Sequence, residues 1–217
     1  AGRRAAEAHY KRLDIPAVVE HAQFYGLYRT RYNWEEKPAV TVLIPNRDHV
    51  EDLKRCIDAV LCSDYSNYEI VVVEHNSREQ QTFAYYEKMQ KECDKIRVLT
   101  YTGEENISKI HNFAVKETTG EYLLFLDPLT QMINTSCMSE MLGYCMREDV
   151  GIVGAKLIYE DDTIAHAGIV LGFGGAVGYV FRGKSRYIAG YESRVICAQD
   201  YSAVSGACMM VKRSVYE

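Results

Sequence analysis

The chain has 217 residues, of which 47% are hydrophobic, so it is long enough to bury a sizeable core in one large domain or in one domain with an appendage. Its formal net charge of -5 provides no basic surface for nonspecific binding to nucleic acid or to an anionic membrane. No apolar run approaches the roughly 18 residues of a membrane span, so we expect a soluble globular protein.

The cysteine pattern indicates a reducing compartment. The 7 cysteines are odd in number, lack CxxC spacing and mostly lie within apolar segments. This pattern favours buried, reduced thiols in the cytoplasm over a disulfide framework or a zinc site.

The N-terminal segment predicts a helical appendage over residues 1–37. Apolar residues recur at helical spacing from Arg3 to Leu13, and Pro16 ends the pattern. Up to Trp34, tyrosines and arginines mix without a clear period. Such a mixture can stack on bases, but the acidic composition favours simple packing on the main domain.

From residue 39 the chain alternates strand and helix patterns. Buried strands are predicted at residues 39–44, 68–73, 96–100 and 122–126, and helices follow the first three. Asp48 with Glu51, and Ser77 with Gln80, are spaced to cap the first two of these helices. The alternation predicts an α/β fold, with a Rossmann-like, doubly wound, mainly parallel sheet and helices on both faces.

A dinucleotide-binding dehydrogenase is the obvious rival, and the glycine pattern argues against it. The loop after the first strand, Pro45-Asn46-Arg47-Asp48, contains no glycine. The later glycine-rich stretch has Val177 where the third glycine of the fingerprint belongs.

Asp127 follows the apolar strand 122–126 directly. Ligands of open α/β sheets bind at the carboxyl ends of the strands, where a carboxylate is a candidate ligand for a phosphate-bound metal ion. A turn that begins with Asp127 before Pro128 explains the same residues, and both interpretations stay open.

The remainder of the chain has a different character. We predict a helix at about residues 135–147 and strands at 150–158, 163–171 and 202–211. The long segment 172–201 shows no helical period, so we expect an acceptor-side or lid loop there.

Five segments in order, residues 42–48, 70–77, 106–112, 120–127 and 153–156, resemble the inverting glycosyltransferases of family 2. His166-Ala167-Gly168 and Ser205-Gly206-Ala207-Cys208 are similar to its bacterial polysaccharide and rhamnosyl-type branch. The resemblance implies a glycosyltransferase A fold over residues 38–217, a nucleoside-diphosphate sugar donor of the UDP or dTDP type, and Mg²⁺ or Mn²⁺. It also implies a saccharide or lipid-linked acceptor.

The resemblance also implies roles for individual residues. Arg47 would stack on the base where the family often has tyrosine. Glu74 and His75 stand where the family has an acidic pair that binds the base, with His75 in place of the second acid. The full set implied for the nucleotide sugar is Pro45, Asn46, Arg47, Glu74, His75, Asn76, Lys109, Asn112 and Asp127. The alternative is structural, with turn formers after the strands and a solvated helix face at Lys109 and Asn112.

Two further departures from the family pattern, together with His75, leave two hypotheses. Leu129 occupies the position of the main metal-binding aspartate, which leaves Asp127 as the candidate metal ligand. The catalytic base of relatives lies in a segment that would follow Glu217. The first hypothesis is a sugar-transfer enzyme of cell-surface polysaccharide synthesis, with His166, Ser205 and Gly206 on the acceptor side. The second is a noncatalytic scaffold or partner-binding domain.

We expect a cytoplasmic location, with attachment to the inner face of the membrane through other regions or partner proteins as an open alternative.

Overall fold

The computed structural model describes residues 1–217, apart from the burial of Gly174. The helices are α1 (Gly2–Arg12), α2 (Val50–Leu61), α3 (Gln80–Glu92), α4 (Ile107–Lys116), α5 (Cys137–Cys145) and α6 (Arg213–Tyr216). The strands are β1 (Ala17–His21), β2 (Tyr28–Tyr32), β3 (Val40–Asn46), β4 (Tyr68–Glu74), β5 (Ile96–Thr100), β6 (Tyr122–Leu126), β7 (Ile152–Gly154), β8 (Leu157–Ile158), β9 (Ile164–His166), β10 (Ile169–Leu171), β11 (Val177–Tyr179) and β12 (Cys208–Lys212).

The chain forms two compact units. One combines Ala1–Lys37 with Ala155–Val204, and the other combines Pro38–Gly154 with Ser205–Glu217. The grouping of residues 155–204 with the N-terminal segment differs from the single domain predicted for residues 38–217.

The second unit is built on a six-stranded sheet in the order β5-β4-β3-β6-β12-β7. Strands β5, β4, β3 and β6 run parallel, whereas β12 is antiparallel to both β6 and β7. Every residue of β3 is buried, as expected for a β-branched, apolar strand with both faces covered. The mainly parallel α/β sheet is therefore confirmed.

Helix α4 packs its apolar stripe on one face of this sheet. Ile110 and Ala114 lie in one cluster with Leu43, Val71 and Phe125, all of them buried. Because the crossover from β5 to β6 passes through α4, the helix begins near the carboxyl edge of the sheet, where the strands end.

Gly120 and Arg213 hold the chain between α4 and β6 in place. A Cβ atom at Gly120 would lie 2.4 Å from the Thr41 hydroxyl oxygen, so only glycine fits this approach. The Arg213 guanidinium donates to the carbonyls of Gly120 at 2.7 Å and Val115 at 2.9 Å, and to the Thr118 hydroxyl at 2.9 Å. These bonds fix the entry of β6 into the sheet.

The first unit contains the N-terminal helix and several short hairpins. The predicted helix is α1, but the segment after Pro16, expected to be irregular, forms the antiparallel pair β1–β2. The inward residues Tyr28, Thr30 and Tyr32 alternate with exposed Arg29 and Arg31, which is the period of a half-buried strand.

Several predicted strands are shorter than expected. The strand predicted at residues 150–158 divides into β7 and β8, and the strand at 163–171 divides into β9 and β10. The second break lies at Gly168, whose φ of +119° disfavours other residues and whose backbone packs against the Tyr201 ring. The strand predicted at 202–211 begins only at Cys208.

The segment 172–201 also holds β11 and two 3₁₀ turns, Phe173–Gly175 and Tyr191–Ser193. Across the residues that the structure describes, no helix has both the length and the apolar character needed to cross a bilayer.

Candidate functional site

The ends of β3 and β4 bring the first group of predicted residues together. Asn46 and Glu74 are register partners on these parallel strands, and the His75 amide donates to the Asn46 carbonyl at 3.1 Å. Pro45 is buried within β3 and pairs with Val73, so it belongs to the strand rather than to the loop predicted to start there.

The carboxylate of Glu74 is held by a tight polar network. The residue is only 5% exposed, and it accepts from the Ser77 amide at 2.7 Å, the Ser77 hydroxyl and the Tyr86 hydroxyl at 2.7 Å. Hydrogen bonds to a charged acceptor are the strong ones, so they fix the carboxylate in one orientation.

Asn46 is buried beside this network with one polar atom unused. Its side-chain amide donates to the Asp48 carbonyl and to the Tyr86 hydroxyl, both at 2.8 Å. Within the described part of the chain, Asn46 Oδ1 and His75 Nδ1 are buried and have no hydrogen-bond partner. A buried polar atom left unpaired costs about 1–3 kcal/mol, so two such atoms on neighbouring strand ends point to an absent partner.

Asp48 does not cap α2, contrary to the prediction. Residues Asp48 and His49 both have positive φ, and α2 begins without a side-chain cap. The Asp48 carboxylate instead accepts from the amides of Arg78 and Glu79, both at 3.0 Å, and so holds the start of α3. The Glu79 amide is the main reason that the pKa of Asp48 lies below its usual value of 3.8.

Ser77 does not cap α3 either, because its hydroxyl donates to Glu74 and accepts from the Asp48 amide at 2.9 Å. Asn76 is exposed and has a φ of 60°, a left-handed turn conformation that asparagine tolerates. The structure gives Asn76 the geometry of a turn.

The basic candidates are paired with glutamates of the loop between β5 and α4. Arg47 lies 2.7 Å from a carboxylate oxygen of Glu105, and Lys109 donates to Glu104. The Asn106 side chain caps α4 by accepting from the Ser108 and Lys109 amides.

Asn112 lies further along α4 and is engaged elsewhere. Its side-chain oxygen accepts a 2.7 Å hydrogen bond from the Tyr216 hydroxyl of α6. This contact does not bring Asn112 to the strand ends, in contrast to the predicted role toward base and ribose.

Asp127 follows β6, as predicted, and forms a turn. One carboxylate oxygen accepts from the Leu129 amide at 2.8 Å, while the Asp127 carbonyl accepts from Thr130 at 2.8 Å. The Leu129 side chain is 70% exposed and offers no oxygen.

Among the described residues no group of three His, Cys, Asp or Glu is arranged to hold a metal ion. These residues do not fit a resident divalent cation, which prefers several oxygen ligands.

The predicted acceptor-side residues belong to different compact units, His166 to the first and Ser205 with Gly206 to the second. His166 is 5% exposed, and burial lowers the pKa of its imidazole. Its Nδ1 accepts from the Gly168 amide at 3.3 Å, which leaves Nε2 buried without a partner in the described structure. The Ser205 hydroxyl accepts from the Ala207 amide at 3.2 Å, and Gly206 is exposed.

Sequence reasoning missed Tyr86, which bonds to both Asn46 and Glu74. Thr82, Tyr86 and Met89 are the buried residues of α3 and lie at helical spacing on one stripe. A tyrosine in such a buried stripe needs a hydrogen-bond partner for its hydroxyl. That requirement is the feature of the sequence that could have indicated a polar contact at Tyr86.

An open α/β sheet with polar side chains at the carboxyl ends of its parallel strands defines the Rossmann-like class of ligand-binding folds. A model of the family described as glycosyl transferase family 2 matches residues 41–217. The chain belongs to this family, and its fold is of the glycosyltransferase A type.

Two sequence relatives match the whole chain. An uncharacterized protein, y4gI, from Sinorhizobium fredii is 35% identical and the chain spans 24% of its length. The O-antigen biosynthesis protein RfbC from Myxococcus xanthus is 31% identical and the chain spans 17% of it. The chain thus corresponds to a quarter or less of these relatives.

Among solved structures, a mannosyltransferase from Pyrobaculum calidifontis in complex with GDP-Man and Mn²⁺ is similar, with a TM-score of 0.53 and 19% identity. The match covers 59% of this chain and 38% of the mannosyltransferase chain. This likeness concerns the fold.

Proposed function

We propose that the chain is the donor-binding part of an inverting glycosyltransferase. It moves a hexosyl or rhamnosyl group from a UDP- or dTDP-type nucleotide sugar to a saccharide or lipid-linked acceptor during cell-surface polysaccharide synthesis. Family membership supports the reaction class, and the relative named for O-antigen biosynthesis supports the polysaccharide role. The mannosyltransferase bound to GDP-Man supports a nucleotide-sugar donor.

One observation carries the proposal: the unpartnered atoms Asn46 Oδ1 and His75 Nδ1 on neighbouring strand ends. The Asn46 oxygen is an acceptor that suits the imide N–H of uracil or thymine. The Nδ1 atom of His75 can donate or accept a hydrogen bond according to the tautomer, and either suits the edge of a base. The network of Glu74 and Tyr86 holds Asn46 rigid, which favours selective recognition because a rejected base leaves both atoms unpaired.

Inverting transfer needs a carboxylate that deprotonates the acceptor hydroxyl on the face opposite the leaving diphosphate. We assign no described residue to that step. As separate acceptor-side candidates we propose His166 with the 172–201 loop in the first unit, and Ser205 with Gly206 in the second. Burial lowers the pKa of His166 and so favours its neutral form, which suits an uncharged hydroxylated acceptor better than an anionic one.

Mg²⁺ or Mn²⁺, expected from the family, would have Asp127 as its protein ligand. The exposed Leu129 and the turn formed by Asp127 argue against a resident ion, so no step of the proposed reaction passes through one. For location we propose a reducing, cytoplasm-like compartment. The support is that the cysteines described in the structure are all free.

Isothermal titration of the 217-residue chain with UDP, dTDP, GDP and their sugar conjugates tests the proposal directly. We expect saturable binding of a uracil or thymine nucleotide, and Asn46→Ala should weaken it about tenfold because the base loses its acceptor. Lys54→Ala, which changes an exposed residue on α2, is the control. Failure of every nucleotide to bind contradicts the proposal.

The second candidate is a noncatalytic scaffold or partner-binding domain within a larger polysaccharide assembly. The exposed Leu129 at the metal position and His75 in the place of an acid favour it. It predicts no nucleotide binding by the parent chain, so the same titration separates the two candidates.

A further inference from the structure

Two basic side chains at the candidate site are each paired with one of two adjacent carboxylates. Arg47 follows β3, and its guanidinium lies 2.7 Å from Glu105. Lys109 lies in the first turn of α4 and donates to Glu104. Because consecutive Cα atoms are about 3.8 Å apart, both cations are drawn to one dipeptide of the β5–α4 loop.

This arrangement places two cations, each paired with a glutamate, at the edge of the sheet where the donor would bind. Arg47 comes directly after a parallel strand, and α4 packs against β3 and β4 with its N-terminal turn at the same edge. A helix N-terminus favours anions, and an arginine fork matches two phosphate oxygens at once. Both features suit a diphosphate.

The site needs such cations because the residues around Asp127 do not fit a divalent ion. A nucleoside diphosphate carries several negative charges that must be balanced both in the bound donor and in the departing group. Leu129 contributes no oxygen, and the Asp127 carboxylate adds negative charge of its own. Arg47 and Lys109, each paired with a glutamate of the β5–α4 loop, are two cations that the structure places at this edge.

We propose that Arg47 and Lys109 bind the diphosphate of the donor directly, without a metal ion, and that Glu104 and Glu105 occupy these cations until the donor displaces them. This inference rests on the proposed function. The acidic dipeptide then acts as an internal competitor that sets donor affinity and rejects weaker anions.

The strength of the two pairs suits an exchangeable contact. The Arg47 and Glu105 side chains are 40% and 59% exposed, and those of Lys109 and Glu104 are 55% and 67% exposed. Ion pairs in such solvent-exposed positions contribute little to stability. A diphosphate that makes a bidentate contact with Arg47 and a single ionic contact with Lys109 can therefore replace them. The loop need only release two side chains.

The test uses the double variant Glu104→Gln/Glu105→Gln. Titration with UDP, GDP and inorganic pyrophosphate in EDTA should show about three- to tenfold tighter binding than the parent chain, because two competing pairs are removed. Arg47→Gln and Lys109→Gln should each weaken binding about tenfold. Higher salt should weaken parent binding, as expected for direct ionic contacts.

Glu87→Gln/Glu92→Gln is the matched control. It removes the same two charges from exposed ion pairs with Lys91 and Lys88 on α3, at 3.9 and 3.8 Å. Its affinities should equal those of the parent, which excludes a general effect of net charge. Equal affinity in the parent and the Glu104/Glu105 double variant overturns the inference, as does binding that requires Mn²⁺.

Failure of the inference can be told from failure of the proposed function. If a nucleotide binds but neither the cation nor the glutamate variants change its affinity, only the inference fails. If no nucleotide binds any form, the proposed function fails. In that case the anion site would still be supported if the Glu104→Gln/Glu105→Gln variant binds pyrophosphate and the addition of Lys109→Gln to it abolishes this binding.

Discussion

The Tyr86 hydroxyl donates to the Glu74 carboxylate at 2.7 Å and so ties α3 to the end of β4. The same hydroxyl accepts from the Asn46 amide at 2.8 Å, which brings β3 into the contact. Burial raises the pKa of Tyr86 above its usual value, so the hydroxyl keeps its proton. One side chain on a helix therefore fixes the two strand ends that carry the proposed base-binding atoms.

Tyr86→Phe should lower the free energy of unfolding by about 1–3 kcal/mol, because the buried Asn46 and Glu74 each lose a partner. Urea denaturation at pH 7 measures this, and UDP titration should show weaker binding. The matched control is Tyr85→Phe on the same helix, since its hydroxyl makes no hydrogen bond to any residue that the structure describes. A similar loss in both variants would mean that the hydroxyl network does not stabilise the site.

The positions of the site residues along the sheet were predictable, but their partners were not. Alternating strand and helix patterns place Asn46, Glu74 and Asp127 at the carboxyl ends of parallel strands, whatever the details of packing. Asp48, however, satisfies a local capping pattern with Glu51 and yet bonds to Glu79, a residue far along the chain. Local spacing cannot reveal such a tertiary contact.

The same distinction applies to the fold. The parallel core follows from β-branched runs at residues 39–44 and 68–73, whereas the antiparallel insertion of β12 depends on pairing with β6 and β7. The β1–β2 hairpin was readable, because Tyr28, Thr30 and Tyr32 alternate with arginines. Over the whole stretch to Trp34 the tyrosines and arginines show no clear period, because the alternation covers only the 5 residues of β2.

Asp48 should make the free energy of unfolding depend on pH in the acid range. Its pKa is lowered in the folded chain, so its contribution is present above the unfolded value near 3.8 and is lost as the pH falls through the lower folded value. Urea denaturation from pH 6 to pH 2.5 should show this loss, with a smaller slope in Asp48→Asn. The exposed Asp94→Asn is the control. An unchanged slope in Asp48→Asn would show that Asp48 does not hold α3.

His111 should lower the free energy of unfolding as the pH falls from 6.5 to about 4, which is a higher range than that of Asp48. Its ring lies 4.6 Å from that of Phe125, and burial lowers its pKa from 6.5 to about 4. Between these values the unfolded chain binds more protons than the folded chain, so stability decreases as the pH falls. In His111→Gln the free energy of unfolding should change less between pH 7 and pH 4.5. His9→Gln, at an exposed residue of α1, should retain the parental slope.

Arg213→Lys should destabilise the sheet unit by about 2 kcal/mol or more. An ammonium group cannot reach the Gly120 and Val115 carbonyls together with the Thr118 hydroxyl, and hydrogen bonds from a charged donor contribute about 1.5–3 kcal/mol. Thermal unfolding measures the effect. Arg55→Lys, at an arginine that is 59% exposed, is the control. Equal melting temperatures would mean that the three bonds contribute nothing.

Leu129→Asp tests why the site does not fit a metal ion. The new carboxylate would stand two residues after Asp127 at a 70% exposed position, so together the two residues could supply the oxygens that Mn²⁺ requires. Titration of UDP with and without Mn²⁺ should show metal-dependent tightening in Leu129→Asp and none in the parent chain. Leu129→Ala removes the same side chain without adding an oxygen and should behave like the parent. Parent binding that already depends on Mn²⁺ would show that Asp127 suffices, and would contradict the metal-free site.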